Sequence, residues 1–277
     1  MNQSAGRLPP LASKTLMQRS ELADRVIVPV LGSPIDAMTW SEAVARLRAW
    51  ASRRESRYVC ICNAHSVVTA QHDRGFAAAI AHADMATSDG APVAWMMRRL
   101  GHPAQRRVSG PDLMWQYCQS ATDASDGIFL YGAAPATLDL LENTLRANFP
   151  KLTISGKRSP PFRLLTPAEE QSDIDLINAS GAGIVWVSLG CPKQELWMAR
   201  HVGRIQAVMV GVGAAFDFHA GKASRAPPWM QKAGLEWLHR LASEPRRLWR
   251  RYLVTNTLFI VRAARQLIRH WTGRPAG

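Results

Sequence analysis

Four polar residues that could take part in a chemical reaction each follow a segment with the pattern of a buried strand. Asp89 stands directly before a glycine at such a strand end. A carboxylate in a partly desolvated crevice can act as a general base, because burial moves its pKa toward the working pH. An aspartate before a glycine is also a common turn, so the local sequence allows either interpretation. The other three residues are Asn63, Gln194 and Asp217.

The segment 183–195 predicts a buried strand, a tight loop and the beginning of a helix. Pro192 suits the first turn of that helix. A helix N-terminus presents unpaired N–H groups and a partial positive charge, which together favour a bound phosphate. Gly190 and Lys193 are therefore candidates to hold a phosphate group, with Gln194 at the mouth of the site. The alternative is an ordinary turn in which the side chains of Lys193 and Gln194 are solvated.

The two remaining polar positions have equally local alternatives. Asp217 lies between two phenylalanines and either binds a ribose hydroxyl or caps a turn. Asn63 either satisfies the backbone of its loop or contacts a ligand. His65 is predicted at the start of a helix and is interpreted as structural, although it is the next candidate base after Asp89.

The elements that position these residues alternate regularly from residue 25 onward. The pattern predicts helices near 40–51, 65–82, 91–100, 110–121, 135–148, 166–179 and 192–201. It predicts strands near 26–31, 57–62, 84–87, 127–131, 152–155, 184–188 and 206–210. This alternation is typical of an α/β fold, here a Rossmann-like three-layer domain with a mostly parallel sheet over 25–221. Ligands of such sheets bind beyond the carboxyl ends of the strands, so the four polar residues should converge there.

Composition excludes several classes of protein. With 277 residues, 47% of them hydrophobic, the chain can bury a full core. The sequence has no G-x-G-x-x-G fingerprint, which argues against a nicotinamide enzyme, and it has no Walker motif either. The cysteines are interpreted as small buried hydrophobic residues, and no cluster of ligand types indicates a metal. Asp173 and Asp175 have a spacing that some metal sites use, but their acidic surroundings predict a solvated helix face.

The positive charge is concentrated at one end of the chain. The net charge is +13, and the segment 222–277 carries twelve Lys and Arg against two acidic residues, or +10. Residues 1–24 show no periodicity and are predicted to form a flexible arm. No stretch approaches the roughly 20 apolar residues that span a bilayer, and no signal peptide is recognisable, which predicts a cytoplasmic protein.

The basic segment 222–277, which we call the tail, predicts two or three helices broken at Gly234 and Pro245. Tryptophans interleaved with arginines are typical of amphipathic helices at an anionic membrane surface. The same composition suits nucleic-acid binding, or helices that pack on the sheet with solvated arginines. A group of four arginines could also close over a diphosphate through charge-assisted hydrogen bonds: Arg246, Arg247, Arg250 and Arg251.

Six sequence motifs occur in an order that is far more specific than any one of them. They are Asn63-Ala64, Ser88-Asp89-Gly90, and the segments 107–113, 189–195, 211–221 and 225–237. This set resembles the WecG/TagA/CpsF glycosyltransferases, glycosyltransferase family 26, over roughly residues 26–253. The resemblance implies an inverting transfer of a sugar from a UDP-sugar to a polyprenyl-diphosphate-linked saccharide at the inner face of the bacterial membrane. The product would enter exopolysaccharide, common antigen or wall teichoic acid.

By this resemblance, Asp89 is the catalytic base that deprotonates the acceptor hydroxyl, and no metal or other cofactor is needed. Asn63, Arg107, Gln194 and Asp217 would line the donor pocket. The tail arginines would stabilise the leaving diphosphate and dock the lipid carrier: Arg225, Arg246, Arg247 and Arg250. Members of the family often have threonine where this chain has Ile61, so a donor contact through that hydroxyl is lost.

The implied protein is peripheral on an anionic membrane surface and has no nucleic-acid partner. Self-association is a further expectation, since an exposed aromatic tail can form an interface between copies. Two other hypotheses remain: another kind of UDP-sugar-binding protein, and a basic protein that binds nucleic acid. UDP binding by the body of the protein would support the glycosyltransferase or another UDP-sugar-binding protein. A nucleic-acid-binding protein would instead have an affinity for duplexes that falls steeply with salt.

Overall fold

The computed structural model describes residues 25–121 and 127–273. The predicted arm over 1–24 lies outside these residues, and so does the side chain of Arg247. The strands are β1 (Ile27–Val30), β2 (Ser33–Asp36), β3 (Arg57–Cys62), β4 (Met85–Ser88), β5 (Ile128–Gly132), β6 (Ile154–Arg158), β7 (Ile184–Ser188) and β8 (Val208–Gly211). Strands β3 to β8 form a six-stranded parallel sheet in the order β4-β3-β8-β7-β5-β6, and β1 and β2 form a separate antiparallel hairpin.

Twelve helices lie within the described residues. Those of the body are α1 (Trp40–Ser52), α2 (Ala64–Ala70), α3 (Arg74–Ala81), α4 (Gly90–Arg99), α5 (Gly110–Ser120), α6 (Pro135–Asn148), α7 (Pro167–Ala179), α8 (Lys193–His201) and α9 (Ala215–His219). The tail contains α10 (Pro228–Lys232), α11 (Glu236–Ser243) and α12 (Pro245–Trp271). Helices α10 and α11 are separated at Gly234, and α12 begins at Pro245, as the sequence predicted.

Two hydrophobic cores cover the two faces of the sheet, because successive side chains of a strand point to opposite faces. In β3, Tyr58 and Cys60 belong to one core, whereas Val59 and Ile61 belong to the other. Helices α2, α3, α4, α7 and α8 contribute to the first core, and α1, α5, α6 and α9 contribute to the second. The predicted three-layer α/β architecture with a parallel sheet is therefore confirmed.

The long tail helix α12 also enters the first core. Phe259, Ala263 and Leu267 recur every four residues, so they lie on one side of the helix, and all three are buried. Gln266 accepts a hydrogen bond from the backbone N–H of Leu31 at 2.9 Å, in the turn of the β1–β2 hairpin. One side of α12 thus packs on the body of the protein, while Leu253 and Ile260 remain exposed.

Local details differ from the sequence predictions for identifiable reasons. The predicted helix 65–82 is two helices, because the side chain of Asp73 accepts a hydrogen bond from the N–H of Phe76 and begins α3. The predicted strand 26–31 ends early, since Leu31 and Gly32 both have positive φ and form a two-residue turn into β2. The short helix α9 was not predicted.

The interpretation of Asp173 as part of a solvated helix face was wrong. Asp173 is buried, and its carboxylate accepts hydrogen bonds from the hydroxyl of Tyr131 at 2.8 Å and from Arg158 at 2.7 Å. Asp175, two residues further on, is exposed. The two carboxylates point to different sides of α7 and serve the packing of the sheet edge, in which Tyr131 and Arg158 belong to neighbouring strands.

Candidate active site

The carboxyl ends of the parallel strands open into a cavity of about 610 Å³. Cys62 pairs with Ser88 and Gly132 pairs with Ser188, so the loops after these strands leave the sheet at the same level. Asparagine, aspartate, glutamine and glycine residues from these loops meet in the cavity wall, as the topology predicted. The sequence candidates among the lining residues are Asn63, Asp89, Arg107, Gly190, Gln194 and Asp217.

Asp89 lies at the carboxyl end of β4, directly before α4. Its backbone N–H donates to the carbonyl oxygen of Cys62 at 2.8 Å, and its side chain makes no capping hydrogen bond to the helix. Burial raises the pKa of Asp89 to about 6; repulsion from Glu236 adds to this shift and Arg107 opposes it. A carboxylate with this pKa is mostly ionised at neutral pH and is a stronger base than an exposed aspartate.

A cluster of two arginines and two carboxylates supports one wall of the site, and its members Arg107 and Glu236 line the cavity. Arg107 Nη1 donates to Glu236 Oε2 at 2.5 Å, and its Nη2 donates to Gln231 Oε1 at 2.8 Å. Arg225 donates two hydrogen bonds to the carboxylate of Asp112, of 2.5 and 2.7 Å. The cluster joins the start of α5 to the tail, and each guanidinium charge is balanced by a carboxylate within the protein.

Gln194 and Glu195 lie side by side in the first turn of α8, and both line the cavity although they are buried. Gln194 Nε2 donates to Glu195 Oε1 at 3.0 Å. Burial raises the pKa of Glu195 to about 7, so this carboxyl group is close to half ionised at neutral pH. Sequence reasoning missed Glu195, although it ends the motif 189–195.

Asn63 and Asp217 take different positions in the wall. The side-chain oxygen of Asn63 accepts from the N–H groups of His65 and Ser66, at 3.0 and 3.2 Å, and so caps α2. Asn63 therefore satisfies the backbone of its loop, and the residue also lines the cavity. Its contact with a ligand stays a prediction. Asp217 lies in α9, and its backbone carbonyl accepts from the N–H groups of Lys222 and Ala223. Asp217 is also one of the lining residues of the cavity.

Four other sequence candidates do not line the cavity. Lys193 is exposed at the start of α8. Arg225 forms ion pairs with the carboxylates of Asp112 and Glu236. Arg246 and Arg250 are exposed at the start of α12, where Arg250 lies over the ring of Trp249 at 5.2 Å. Their roles toward a diphosphate or a lipid carrier stay predictions.

The tail forms one side of the cavity, an arrangement that the sequence left open, and it does so through residues other than the predicted arginines. Its lining residues are Gly234, Glu236, Trp237, Arg240, Tyr252, Thr255 and Asn256. Thr255 Oγ1 lies 3.4 Å from His65 Nδ1, so α12 contacts α2 next to the site. The only sequence signal for this contact was the polar pair Thr255-Asn256, which interrupts an apolar run.

Within residues 25–121 and 127–273, no group of three or more His, Cys, Asp or Glu side chains could hold a metal ion. Metal independence stays a prediction, since it concerns the reaction. None of the helices in the described part of the chain is long and apolar enough to cross a membrane.

A deep crevice at the carboxyl ends of a parallel sheet, with a carboxylate of raised pKa in its wall, is typical of α/β enzymes that act on polar substrates. Residues 28–273 match the model of the glycosyl transferase WecG/TagA/CpsF family, and the chain belongs to this family. It is therefore a glycosyltransferase of polysaccharide biosynthesis with a sugar donor and an acceptor as substrates. The match includes all of α12, beyond the region recognised in the sequence.

Proposed function

We propose that the protein is an inverting glycosyltransferase that moves a sugar from a UDP-sugar to a polyprenyl-diphosphate-linked saccharide in bacterial surface polysaccharide synthesis. The observation that carries this proposal is the position of Asp89, at the strand end inside the cavity, with a pKa of about 6. Asp89 takes the proton of the acceptor hydroxyl while the oxygen of that hydroxyl attacks the anomeric carbon of the donor sugar. The bond from that carbon to the diphosphate oxygen breaks, and UDP leaves with the electron pair.

The negative charge that develops on the leaving diphosphate needs a cation or N–H donors in the cavity. Arg240 on α11 is well placed for this role. It lines the cavity, its guanidinium lies 5.5 Å from the ring centroid of Phe218, and no acidic side chain of the described residues forms an ion pair with it. Arg107 and Arg225 already balance carboxylates, so they organise the wall instead.

The tail is the proposed membrane contact. Exposed apolar side chains on α12 include Trp249, Leu253, Ile260 and Trp271, and arginines lie between them. This combination suits the headgroup region of an anionic bilayer, where aromatic rings and cations both have favourable contacts. A protein held there by α12 would meet a polyprenyl-linked acceptor at the membrane surface. The proposed location is the cytoplasmic face of the plasma membrane.

The decisive experiment measures UDP release from a panel of UDP-sugars with a short-chain polyprenyl-diphosphate-linked acceptor. The wild-type protein should act on one donor, and Asp89→Asn should lose at least about a hundredfold in kcat while it still binds UDP. Asp175→Asn removes an exposed carboxylate from α7 and serves as the matched control. Equal turnover by wild type and Asp89→Asn would show that the base lies elsewhere. A protein that binds duplex DNA but neither UDP nor lipid would instead support the nucleic-acid hypothesis.

A further inference from the structure

The adjacent side chains of Gln194 and Glu195 form a contact that helix geometry does not produce by itself. Neighbouring residues of a helix point in different directions and do not normally meet. Here the Gln194 amide donates from Nε2 to Glu195 Oε1 at 3.0 Å, with the two residues 4% and 2% exposed. Both side chains are therefore folded into one buried space at the start of α8, at the wall of the cavity.

The other end of the same amide is unsatisfied. Gln194 Oε1 is buried and has no hydrogen-bond partner among the residues that the structure describes. A buried acceptor without a partner destabilises the protein, because it has lost its hydrogen bonds to water and gained none in return. A ligand that brings an N–H or O–H group to this oxygen would remove that destabilisation on binding.

Glycines of β8 and the loop after it make room for the amide. A Cβ at Gly211 would lie 2.9 Å from Gln194 Nε2 and 2.8 Å from Met198 Cε, closer than side chains pack. A Cβ at Gly213 would lie 3.7 Å from Gln194 Oε1, and both glycines line the cavity. The amide nitrogen is thus held between Glu195 and Gly211, while the oxygen lies toward Gly213.

We infer that Glu195 is a positioning residue that turns the amide of Gln194, so that Gln194 Oε1 accepts a hydrogen bond from an O–H or N–H group of the nucleotide sugar. This inference rests on the proposed function. The two ends of a glutamine amide have nearly the same shape, and its hydrogen-bond partners determine its orientation. Glu195 Oε1 is the acceptor in this contact, so it holds the amide nitrogen and leaves the amide oxygen for the ligand.

The chemistry of this pair also says which part of the ligand it contacts. Diphosphate oxygens are acceptors with negative charge, and they would face the amide oxygen and a carboxylate. Hydroxyl groups of the ribose or the transferred sugar, and the N–H of the uracil ring, are donors. We therefore place the nucleoside or the sugar at Gln194 and the diphosphate elsewhere in the cavity, although the helix start at Gly190 and Lys193 predicted a phosphate.

Three variants test the inference. Glu195→Leu removes the acceptor oxygen, and Glu195→Gln keeps the shape and an acceptor oxygen. Gly211→Ala disturbs Gln194 from the opposite side without changing Glu195. We expect Glu195→Leu and Gly211→Ala to raise KM for the UDP-sugar on the order of tenfold, with a smaller effect on kcat. Glu195→Gln should stay within about threefold of the wild type.

Calorimetric titration with UDP identifies the group that donates to Gln194. If it belongs to the uridine, UDP binds more weakly to Glu195→Leu in parallel with the rise in KM. If it is a hydroxyl of the transferred sugar, UDP binds as before and only the KM rises. Unchanged KM and UDP affinity in both Glu195→Leu and Gly211→Ala would overturn the inference, as would a Glu195→Gln variant as impaired as Glu195→Leu.

A measurement without substrate separates this inference from the proposed function. The side-chain NH₂ resonances of Gln194 can be assigned by their loss in Gln194→Ala. We expect them to shift in Glu195→Leu or Gly211→Ala and to stay near the wild-type position in Glu195→Gln. If the Gln194 side-chain resonances have the same chemical shifts in all three variants as in the wild type, the positioning role is refuted. If the wild-type protein neither binds UDP nor turns over any UDP-sugar, the proposed function fails, and these resonances still test how Glu195 orients the amide.

Discussion

Arg107 and Glu236 form an ion pair of 2.5 Å between side chains that are 129 residues apart in the sequence. The pair joins the loop before α5 to the first residue of α11, so it holds the tail against the cavity. Both partners also act on Asp89: Glu236 raises its pKa and Arg107 lowers it. Tail position and the basicity of Asp89 are therefore linked through this contact.

The first prediction concerns the pH dependence of Glu236→Gln. Asp89 must be ionised to accept a proton, so kcat should fall as the pH drops through a pKa of about 6. Removing the negative charge of Glu236 removes a repulsion that favours protonated Asp89, and it leaves Arg107 with only the longer contact to Asp112, at 3.7 Å, as a counter-charge. Both changes lower the pKa, so the acidic midpoint of the pH–kcat profile should move below that of the wild type. Asp175→Asn should leave the midpoint unchanged, whereas an upward shift in Glu236→Gln would contradict the assignment.

The second prediction concerns stability and Glu195. The pKa of Glu195 rises from 4.5 to about 7 on folding, so the unfolded chain loses this proton at a lower pH than the native protein. The native state is favoured by this group below pH 4.5, and that contribution is lost as the pH rises toward 7. The full contribution is on the order of 3 kcal/mol.

Glu195→Gln cannot ionise, so it should be stabilised relative to the wild type at pH 8 and lose that advantage near pH 5. Denaturant unfolding at both pH values measures the difference in the free energy of unfolding. Glu142→Gln replaces a surface carboxylate whose pKa is lowered by hydrogen bonds from Lys157 and Arg146. Both pH values lie above the range in which Glu142 titrates, so the difference between this control and the wild type should stay nearly constant. A difference between wild type and Glu195→Gln that does not change with pH would rule out the buried titration.

The third prediction concerns Gly132 at the end of β5. It has φ of 113°, and a Cβ there would lie 2.3 Å from the carbonyl oxygen of Ser188, a backbone atom of the neighbouring strand. Gly132→Ala should therefore lower the free energy of unfolding by about 2–5 kcal/mol or prevent folding. Gly181→Ala is the matched control, because its φ is also positive but no atom lies within 4 Å of the new Cβ. Equal losses in the two variants would show that backbone strain, not the strand contact, sets the cost.

Much of the sheet could be predicted from the sequence because its strands are short apolar runs that are buried on both faces. Residues 184–188 were placed without error, since neither turn chemistry nor a distant partner affects them. The α2–α3 break was missed because the apolar pattern continues across Asp73, and only the capping bond reveals the boundary. The turn at Leu31 was missed because a leucine with positive φ has no sequence signature.

The candidate site was predictable only where strand ends bring residues together. Asp89 and Gln194 follow from topology, because parallel strands place their carboxyl ends at one edge. The tail residues Arg240 and Thr255 depend on where three helices pack, and the pattern of the tail left a membrane, a nucleic acid and the sheet open as alternatives. The structure shows that α12 packs through Phe259 into the first hydrophobic core, on one face of the sheet, and still exposes an apolar surface.

The fourth prediction concerns that exposed surface. Trp249 and Leu253 are one helical turn apart on α12, with exposed fractions of 48% and 62%. Replacing both by serine removes apolar area that would enter the headgroup region, so binding to vesicles that contain phosphatidylglycerol should weaken by about tenfold or more. UDP affinity should not change, since neither residue lines the cavity. Vesicle sedimentation at increasing salt measures both the apolar and the electrostatic contribution.

Leu140→Ser is the matched control for α12, because Leu140 is 44% exposed on α6, within the body of the protein. It should leave vesicle binding unchanged. Light scattering of the same proteins without lipid tests the alternative occupant of the surface, a second copy of the chain. If the double variant becomes monomeric while the wild type is oligomeric, and both bind vesicles equally, α12 forms an interface between copies and the membrane contact lies elsewhere.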